Sequence, residues 1–380
     1  MIHLVRPQVG EEELRAVAEV FESSWLGVGP RTKAFETGFA EHLGVEPDHV
    51  VFVNSGTAAL FLALETLDLR AGDEVVLPSA SFVAAANAIM ACGARPVFCD
   101  VDERTLNPAL DDIENALTPR TKAVVVLHYG GYPGDVARIA ARCREAGIAL
   151  VEDAACSVAS RVGGKAVGTF GDLAIWSFDA AKVLVTGDGG MLYARDRRQA
   201  ERARRLAYHG LVHARGFGDA AGARDRWWEP ELSEVGRRFI GNDLTAAIGT
   251  VQLRRLPELV GRRREIAGMY DHALKDVGGV TPPPPLPPGH ESTHYYYWVQ
   301  LERGIRDAVA SKLFTAEIYT TFRYAPLHKV PLYGSADRTL PRVEQAAERT
   351  LCLPIHPGLD AFDVETVVTE LSKAVASCHS

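Results

Sequence analysis

The chain has 380 residues, enough for a sizeable core and about two domains. Its 41 Lys and Arg are outnumbered by 49 Asp and Glu, and a net charge of -8 argues against a nucleic-acid partner, which demands a basic face. No run approaches the ~18–20 apolar residues of a membrane helix, the start MIHLVRPQVGEEEL has no signal-peptide core, and the six cysteines lack CxxC spacing, so no membrane span, zinc site or disulfide framework is expected and a reducing cytoplasm fits.

EEELRAVAEVFESS (11–24) carries an apolar stripe at helical period. HVVFVN (49–54) is a short buried strand that stops at Ser55-Gly56, and TAALFLALETL (57–67) is helical. GDEVVLPS (72–79) is a strand, FVAAANAIMACG (82–93) a helix closed by Gly93, and RPVFCDVD (95–102) a strand. LDDIENAL (110–117) is a helix, KAVVVLHYGG (122–131) a strand, VARIAARCREAG (136–147) a helix and IALVEDAA (148–155) a strand. Such alternation predicts a mostly parallel sheet with helices on both faces, and ligands then sit at the carboxyl ends of the strands. Those ends read Asn54-Ser55-Gly56, Pro78-Ser79, Asp100, Tyr129-Gly130 and Asp153. GDLAIWSF (171–178) is a further strand before the glycine turn TGDGG (186–190). The arginines at 195–205 and 262–264 alternate with apolar residues at helical spacing and read as solvated helix faces.

Past about residue 250 the pattern changes. Residues 244–274 form a long helical stretch, expected to break or kink near Pro257. TPPPPLPPGHES (281–292) reads as a stiff connector, THYYYWVQL (293–301) as a strand and RDAVASKLFTAEIY (306–319) as a helix. The expected organisation is a large α/β domain over 1–250 and a smaller α+β domain over 251–380.

Three pieces carry chemistry. In NSGTAAL (54–60) a strand meets a glycine turn and a helix start with Thr57 near its N-cap, where free N–H groups and the helix dipole favour a phosphate. The GxxxxGK[ST] and GxGxxG spacings are absent, which counts against a P-loop and a nicotinamide cofactor. In ALVEDAACS (149–157), Glu152 and Asp153 point to opposite faces of the strand, so one of them reaches the cleft. Asp153 is either a helix cap or the partner of a ring nitrogen that must stay protonated. Lys182 follows a buried strand and precedes the glycine turn, a placement suited to an amine nucleophile as well as to an ordinary turn lysine. A phosphate cradle, an Asp and a Schiff-base lysine in this order are the parts of a pyridoxal-phosphate site of fold-type I.

With these motifs the sequence resembles the DegT/DnrJ/EryC1/StrS family of sugar aminotransferases. The likeness runs through WLGVGPRTKAFETGFAEHLG (25–44), NSGTAAL, residues 78–107, VEDAA (151–155), SFDAAK (177–182), GDGGM (187–191) and GNDLTAAIGTVQL (241–253). It implies a PLP fold-type I architecture, pyridoxal 5'-phosphate as cofactor, and Lys182 as the Schiff-base lysine that also moves the proton. It assigns the ring-nitrogen contact to Asp153, the phosphate to Gly56, Thr57 and Ser177, and the two ring faces to Phe82 and Ala155. Phe82 also reads as a packed helix residue. Asn242 would reach the phosphate in the neighbouring subunit, which implies a homodimer. Cys156 stands where the family usually has Gln or His near the cofactor or substrate. Asp179 stands where many relatives have His, and Leu244 and Thr245 replace the usual aromatic and arginine of that stretch. A subset of the family has histidine at the lysine position and deoxygenates; Lys182 argues for transamination.

The expected reaction moves an amino group from L-glutamate to a nucleotide-linked keto sugar, favoured as a dTDP-4-keto-6-deoxyhexose aminated at C4, in amino-sugar and secondary-metabolite biosynthesis. Amination at C3, a keto-cyclitol substrate, and a non-catalytic regulator of the same fold are the alternatives. Arg31, Lys33, Arg237, Arg238, Arg323 and His328 are candidate cations for the diphosphate.

Overall fold

The computed structural model describes residues 1–212, 231–335 and 337–378. The predicted alternation is present as β1 (Val50–Val53), β2 (Glu74–Pro78), β3 (Arg95–Cys99), β4 (Thr121–Leu127) and β5 (Ala149–Asp153). Two short strands follow, β6 (Arg161–Val162) and β7 (Lys165–Ala166), then β8 (Leu173–Ser177) and β9 (Gly190–Ala194). Seven of these form one sheet in the order β1-β9-β8-β5-β4-β2-β3. Only β9 is antiparallel to its neighbours β1 and β8; the other neighbouring strands pair in parallel. The carboxyl ends of β1, β2, β3, β4, β5 and β8 therefore gather along one edge of the sheet.

The strands are apolar throughout because helices cover both faces. On one face Leu60, Leu62, Ile89 and Phe98 are buried together. On the other, Phe35 meets the rings of Phe52 and Phe178 edge-on at 5.0 and 5.4 Å. The helix Pro30–Leu43, which carries Phe35, starts with Pro at its first turn and ends at Gly44 in the left-handed conformation, φ 75°.

The helix Asp243–Ala273 spans 31 residues and continues through Pro257 without a break. Of the break or kink expected there, the break does not occur: packing on both sides outweighs one missing N–H. Leu256, Leu259 and Val260 pack in the core with Phe35, whereas Ile266, Ala267 and Tyr270 belong to a second core. That second core lies against β10 (Val280–Thr281), β12 (Tyr297–Leu301), β13 (Thr350–Leu353) and the helix Ala361–Ala376. The expected division at residue 250 falls inside this shared helix.

Two other expectations are corrected. The proline-rich stretch ends in β11 (His290–Glu291), which pairs with β6 and, with β7, makes a separate three-stranded sheet. Residues 293–296 are not strand: Tyr295 and Tyr296 both donate their N–H to the Gly130 carbonyl, at 2.8 and 3.1 Å, and the strand starts only at Tyr297.

Candidate active site

The site is built at the edge where the parallel strands end. After β1 the chain turns through Asn54 and Ser55 into the helix Gly56–Glu65. The N-cap is Ser55, whose Oγ accepts the Ala58 N–H at 3.1 Å; Thr57 lies two residues on and is exposed. The first helical main-chain bond runs from Ala59 to Ser55, at 3.1 Å. The N–H groups of Gly56 and Thr57 precede it and have no helical acceptor, so the positive end of the helix is open to an anion.

Close packing shapes this cradle. A Cβ on Gly56 would lie 2.7 Å from the Cβ of Ser177, and a Cβ on Gly190 would lie 2.4 Å from the Ser55 carbonyl. The ends of β1 and β8 and the start of β9 thus interlock with no room for a side chain at either glycine. Beside them lies a cavity of about 330 Å³ lined by Asn54, Ser55, Asp188, Asn242 and Thr245. Asn242 caps the long helix here, its Oδ1 accepting the Thr245 N–H at 3.0 Å.

The acidic pair of β5 splits as strand geometry requires. Glu152 turns to the structural side, where it accepts N–H groups of Gly168 (2.7 Å) and Gly171 (2.6 Å) and contacts His128 Nε2 at 3.1 Å. Asp153 faces the site and is 4 % exposed. Among the described residues its carboxylate accepts one hydrogen bond, from the Ala155 N–H at 3.1 Å. Burial pushes its pKa above the usual carboxylate value; the Ala155 N–H and the charges of Lys182 and His128 oppose that only partly.

Lys182 sits on a turn held by Asp179. The Asp179 carboxylate accepts the Ala181 N–H at 2.9 Å, and its carbonyl accepts the Lys182 N–H at 2.9 Å. Asp179 thus shapes the loop that presents the amine, a role independent of the histidine many relatives have there. Lys182 Nζ lies 3.9 Å from Cys156 Sγ and 4.6 Å from the centre of the Tyr295 ring. Burial works against its charge, but Cys156, Tyr295, Tyr324 and Asp153 outweigh burial and hold the amine's pKa above the usual lysine value. Burial also raises the Cys156 thiol and the Tyr324 phenol, and the Lys182 charge offsets part of that rise.

Phe82 is 45 % exposed, so it is not part of the core. It precedes the helix Val83–Ala91, and its ring lies 5.8 Å from that of Tyr324. Ala155 and Cys156 lie two and three residues past Asp153, after Ala154, and Ser177 ends β8 beside Gly56.

The candidate cations fare differently. His328 is buried between Ser79 Oγ (2.6 Å) and Glu344 Oε1 (3.0 Å), where it joins the end of β2 to the C-terminal region. Arg31 pairs with Glu19 at 2.8 Å and Arg237 pairs with Glu65. Arg238 lies over the Tyr208 ring at 5.6 Å. Lys33 and Arg323 remain exposed. Tyr295 and Asp188 were not predicted for the site, and Tyr324 was covered only by the reading of YTTFRYAPLH (319–328) as an aromatic, basic stretch able to contact a sugar or a base. The aromatic runs HYYYW and FRYAP were the available signal, but nothing in them marks which ring turns inward.

The pattern that defines the DegT/DnrJ/EryC1/StrS aminotransferase family matches residues 7–372. The chain belongs to that family. Like its relatives here, it is an aminotransferase. It is 63 % identical over 375 residues to the dTDP-4-dehydro-2,3,6-trideoxy-D-glucose 4-aminotransferase of Saccharopolyspora spinosa, covering 99 % of this chain and 97 % of that one. Among solved structures it superposes on the aminotransferase TlmJ from Streptoalloteichus hindustanus with a TM-score of 0.95 and 58 % identity over 100 % of both chains. It also superposes on the PLP-form of Spr1654 from Streptococcus pneumoniae, with a TM-score of 0.90 and 25 % identity over 99 % of each chain. The expected fold, a fold-type I aminotransferase with a mostly parallel central sheet, is the observed one. Among the described residues no helix is long and apolar enough to cross a membrane, and no cluster of His, Cys, Asp and Glu could hold a metal ion.

Proposed function

We propose that this aminotransferase binds pyridoxal 5'-phosphate and uses Lys182 to move an amino group from L-glutamate to C4 of a dTDP-linked 4-keto deoxysugar. The observation that carries the reading is a buried Asp153 with a single hydrogen bond, near enough to the Lys182 amine for each to shift the other's pKa, at strand ends that also present an open helix N-terminus. The residues fit the cofactor's three functional groups. The N–H groups of Gly56 and Thr57 and the Ser177 hydroxyl suit its phosphate, and Asp153 suits a protonated ring nitrogen that supplies the missing hydrogen bond. Phe82 and Ala155 would flank the ring, Cys156 would sit at its lysine end, and Asn242 would reach the phosphate bound in the partner subunit. When bound, the cofactor supplies a carbonyl that takes up the amino group and a ring that accepts electrons.

Lys182 then does the proton work. It takes a proton from the α-carbon of glutamate, which gives up its amino group, gains its keto oxygen from water and leaves as 2-oxoglutarate, and later delivers a proton to the sugar carbon that gains nitrogen. Asp153 keeps its charge opposite the ring nitrogen throughout. The name of the relative from Saccharopolyspora spinosa favours a sugar lacking hydroxyls at C2 and C3. Exposed Leu14, Phe21, Trp25, Leu26 and Val28 support a homodimer with shared sites, and the shared helix supports a large and a small domain dividing within it.

Borohydride reduction of protein loaded with pyridoxal phosphate tests the site. A reduced tag on the Lys182 peptide is the expected result; a tag on another lysine overturns the assignment. Mass spectrometry of the product from dTDP-4-keto-2,3,6-trideoxyhexose and glutamate tests the reaction, and a product without nitrogen refutes it.

A further inference from the structure

Lys182 is held on its free side as carefully as on its reacting side. We infer that the face of Tyr295, with Cys156 beside it, is the resting place of the Lys182 ammonium whenever the amine is not joined to a carbonyl. The inference rests on the reading of Lys182 as the reacting amine and assigns Tyr295 a role as a positioning residue.

The geometry is specific. Lys182 Nζ stands 4.6 Å from the ring centre, within the range in which an ammonium is attracted by the negative face of an aromatic ring. Cys156 Sγ, 3.9 Å from the same nitrogen, closes one side with a soft, weakly accepting atom. The ring is anchored from several directions. Tyr295 is 3 % exposed, its N–H bonds to the Gly130 carbonyl at 2.8 Å, and its own carbonyl accepts from Arg263 at 3.3 Å. Arg263 also donates to the carbonyls of His294 (3.1 Å) and Ile355 (3.0 Å), so one buried guanidinium fixes the turn before β12 against the chain after β13. Gly130 makes this turn possible: its φ is +61°, and a Cβ there would stand 3.0 Å from the Trp298 ring. Tyr296 packs against Tyr295 with ring centres 4.3 Å apart and blocks a sideways swing.

The groups facing the amine are Cys156 and Asp153 from the β5 end, Tyr295 from the turn before β12, and Tyr324 from the segment before β13. Among the described residues, Tyr295 alone presents a ring face to it at a defined distance. A lysine side chain has four rotatable bonds and, once released, would wander without such a perch. A fixed ring returns the amine to the same place for each proton transfer.

The test uses cofactor-free protein and measures labelling of Lys182 by trinitrobenzenesulfonate against pH, read by peptide mass. Wild type and Tyr295→Phe should share one alkaline midpoint, because both keep the ring face. Tyr295→Leu should lower the midpoint by about one pH unit and label about tenfold faster well below it. Phenylalanines bearing successive ring fluorines at position 295 keep the shape while weakening the ring's negative face. They should lower the midpoint stepwise, and they serve as well if Tyr295→Leu folds poorly. A midpoint unmoved by fluorination overturns the inference, as does a Tyr295→Phe shift equal to that of Tyr295→Leu, which would place the effect in the hydroxyl. Borohydride mapping of loaded wild-type protein runs alongside. A tag absent from Lys182 defeats the underlying assignment, whereas a tag on Lys182 with unmoved midpoints defeats the perch alone.

Discussion

Replacing Asp153 by Asn should have opposite effects on the empty and the loaded protein. In the empty protein the carboxylate is buried, bonded to a single main-chain N–H, and its ionised form is disfavoured. Asparagine has the same shape, can accept the same Ala155 bond, and carries no charge to desolvate. The empty variant should therefore match or exceed wild type in urea unfolding at pH 7. The pH dependence follows from the sign of the shift. A carboxyl whose folded pKa lies above its ordinary 3.8 binds its proton more tightly in the folded state. Its contribution is most favourable below pH 3.8 and is lost as pH rises through the folded value. The Asn variant lacks this loss, so its advantage should be absent near pH 3.8 and grow with pH to a plateau.

With pyridoxal phosphate bound, the order should reverse. A charge-assisted bond between the carboxylate and a ring N–H is worth about 1.5–3 kcal/mol, roughly 10- to 150-fold in affinity, and an amide gives much of that up. Absorbance titration with the cofactor measures it. Were Asp153→Asn to bind the cofactor as tightly as wild type, or to destabilise the empty protein by several kcal/mol, Asp153 would be a structural acid and the site would need another partner for the ring.

Gly190→Ala should cost about 3 kcal/mol and weaken cofactor binding, because the new Cβ would sit 2.4 Å from the Ser55 main chain. Gly187→Ala has open space and only a left-handed backbone to strain, so urea unfolding should show a loss of about 1 kcal/mol; equal losses would refute the close packing of the cradle. Glu74 is fully buried and bonded to Thr118, Arg95 and Arg120 at 2.6, 2.5 and 2.7 Å, which outweighs desolvation and holds its pKa at about 2. Against an ordinary 4.5 this is worth about 3 kcal/mol at neutral pH, lost as pH falls from 4.5 towards 2; Glu74→Gln should show the loss at pH 7 in denaturant curves but little of it at pH 2. Asp243→Ala removes an acceptor for the Thr32 N–H (2.8 Å), the Thr32 hydroxyl (2.7 Å) and the Arg31 N–H (3.2 Å) at the start of the helix Pro30–Leu43. A loss of about 2 kcal/mol is expected, and unchanged unfolding would show the cap to be dispensable.

The large sheet was legible because a strand buried on both faces and a helix with one apolar stripe leave different periods in the sequence. Glycine marked the cradle for a similar reason. Gly56 and Gly190 sit where main chain meets main chain, a constraint visible as small residues around a strand end. Helix interruption was misjudged at Pro257 because local propensity cannot see the packing that carries the helix past one missing N–H. The start of β12 was misplaced because THYYYW has strand composition, whereas the Gly130 carbonyl, more than 160 residues earlier, claims both N–H groups of Tyr295 and Tyr296. Asp243 carried no reading of its own in the sequence. Its work, holding a helix start 211 residues away, has no local signature.

The same distance effect explains why half of the site was invisible. Asp153, Ser177 and Lys182 lie within 30 residues of one another, the first two on neighbouring strands and Lys182 on the turn just after the second, so chain order nearly gives their proximity. Tyr295 and Tyr324 arrive from the far end of the chain; Tyr295 owes its place to Arg263 and Gly130, and Tyr324 packs against the rings of Phe82 and Tyr129. A sequence can announce the groups that react, since their chemistry limits the residue types allowed. The groups that hold a reacting amine still need only a ring of the right face and a turn that aims it, and many sequences supply those. Tyr295 is therefore the residue at which the structure adds most to the reading of Lys182.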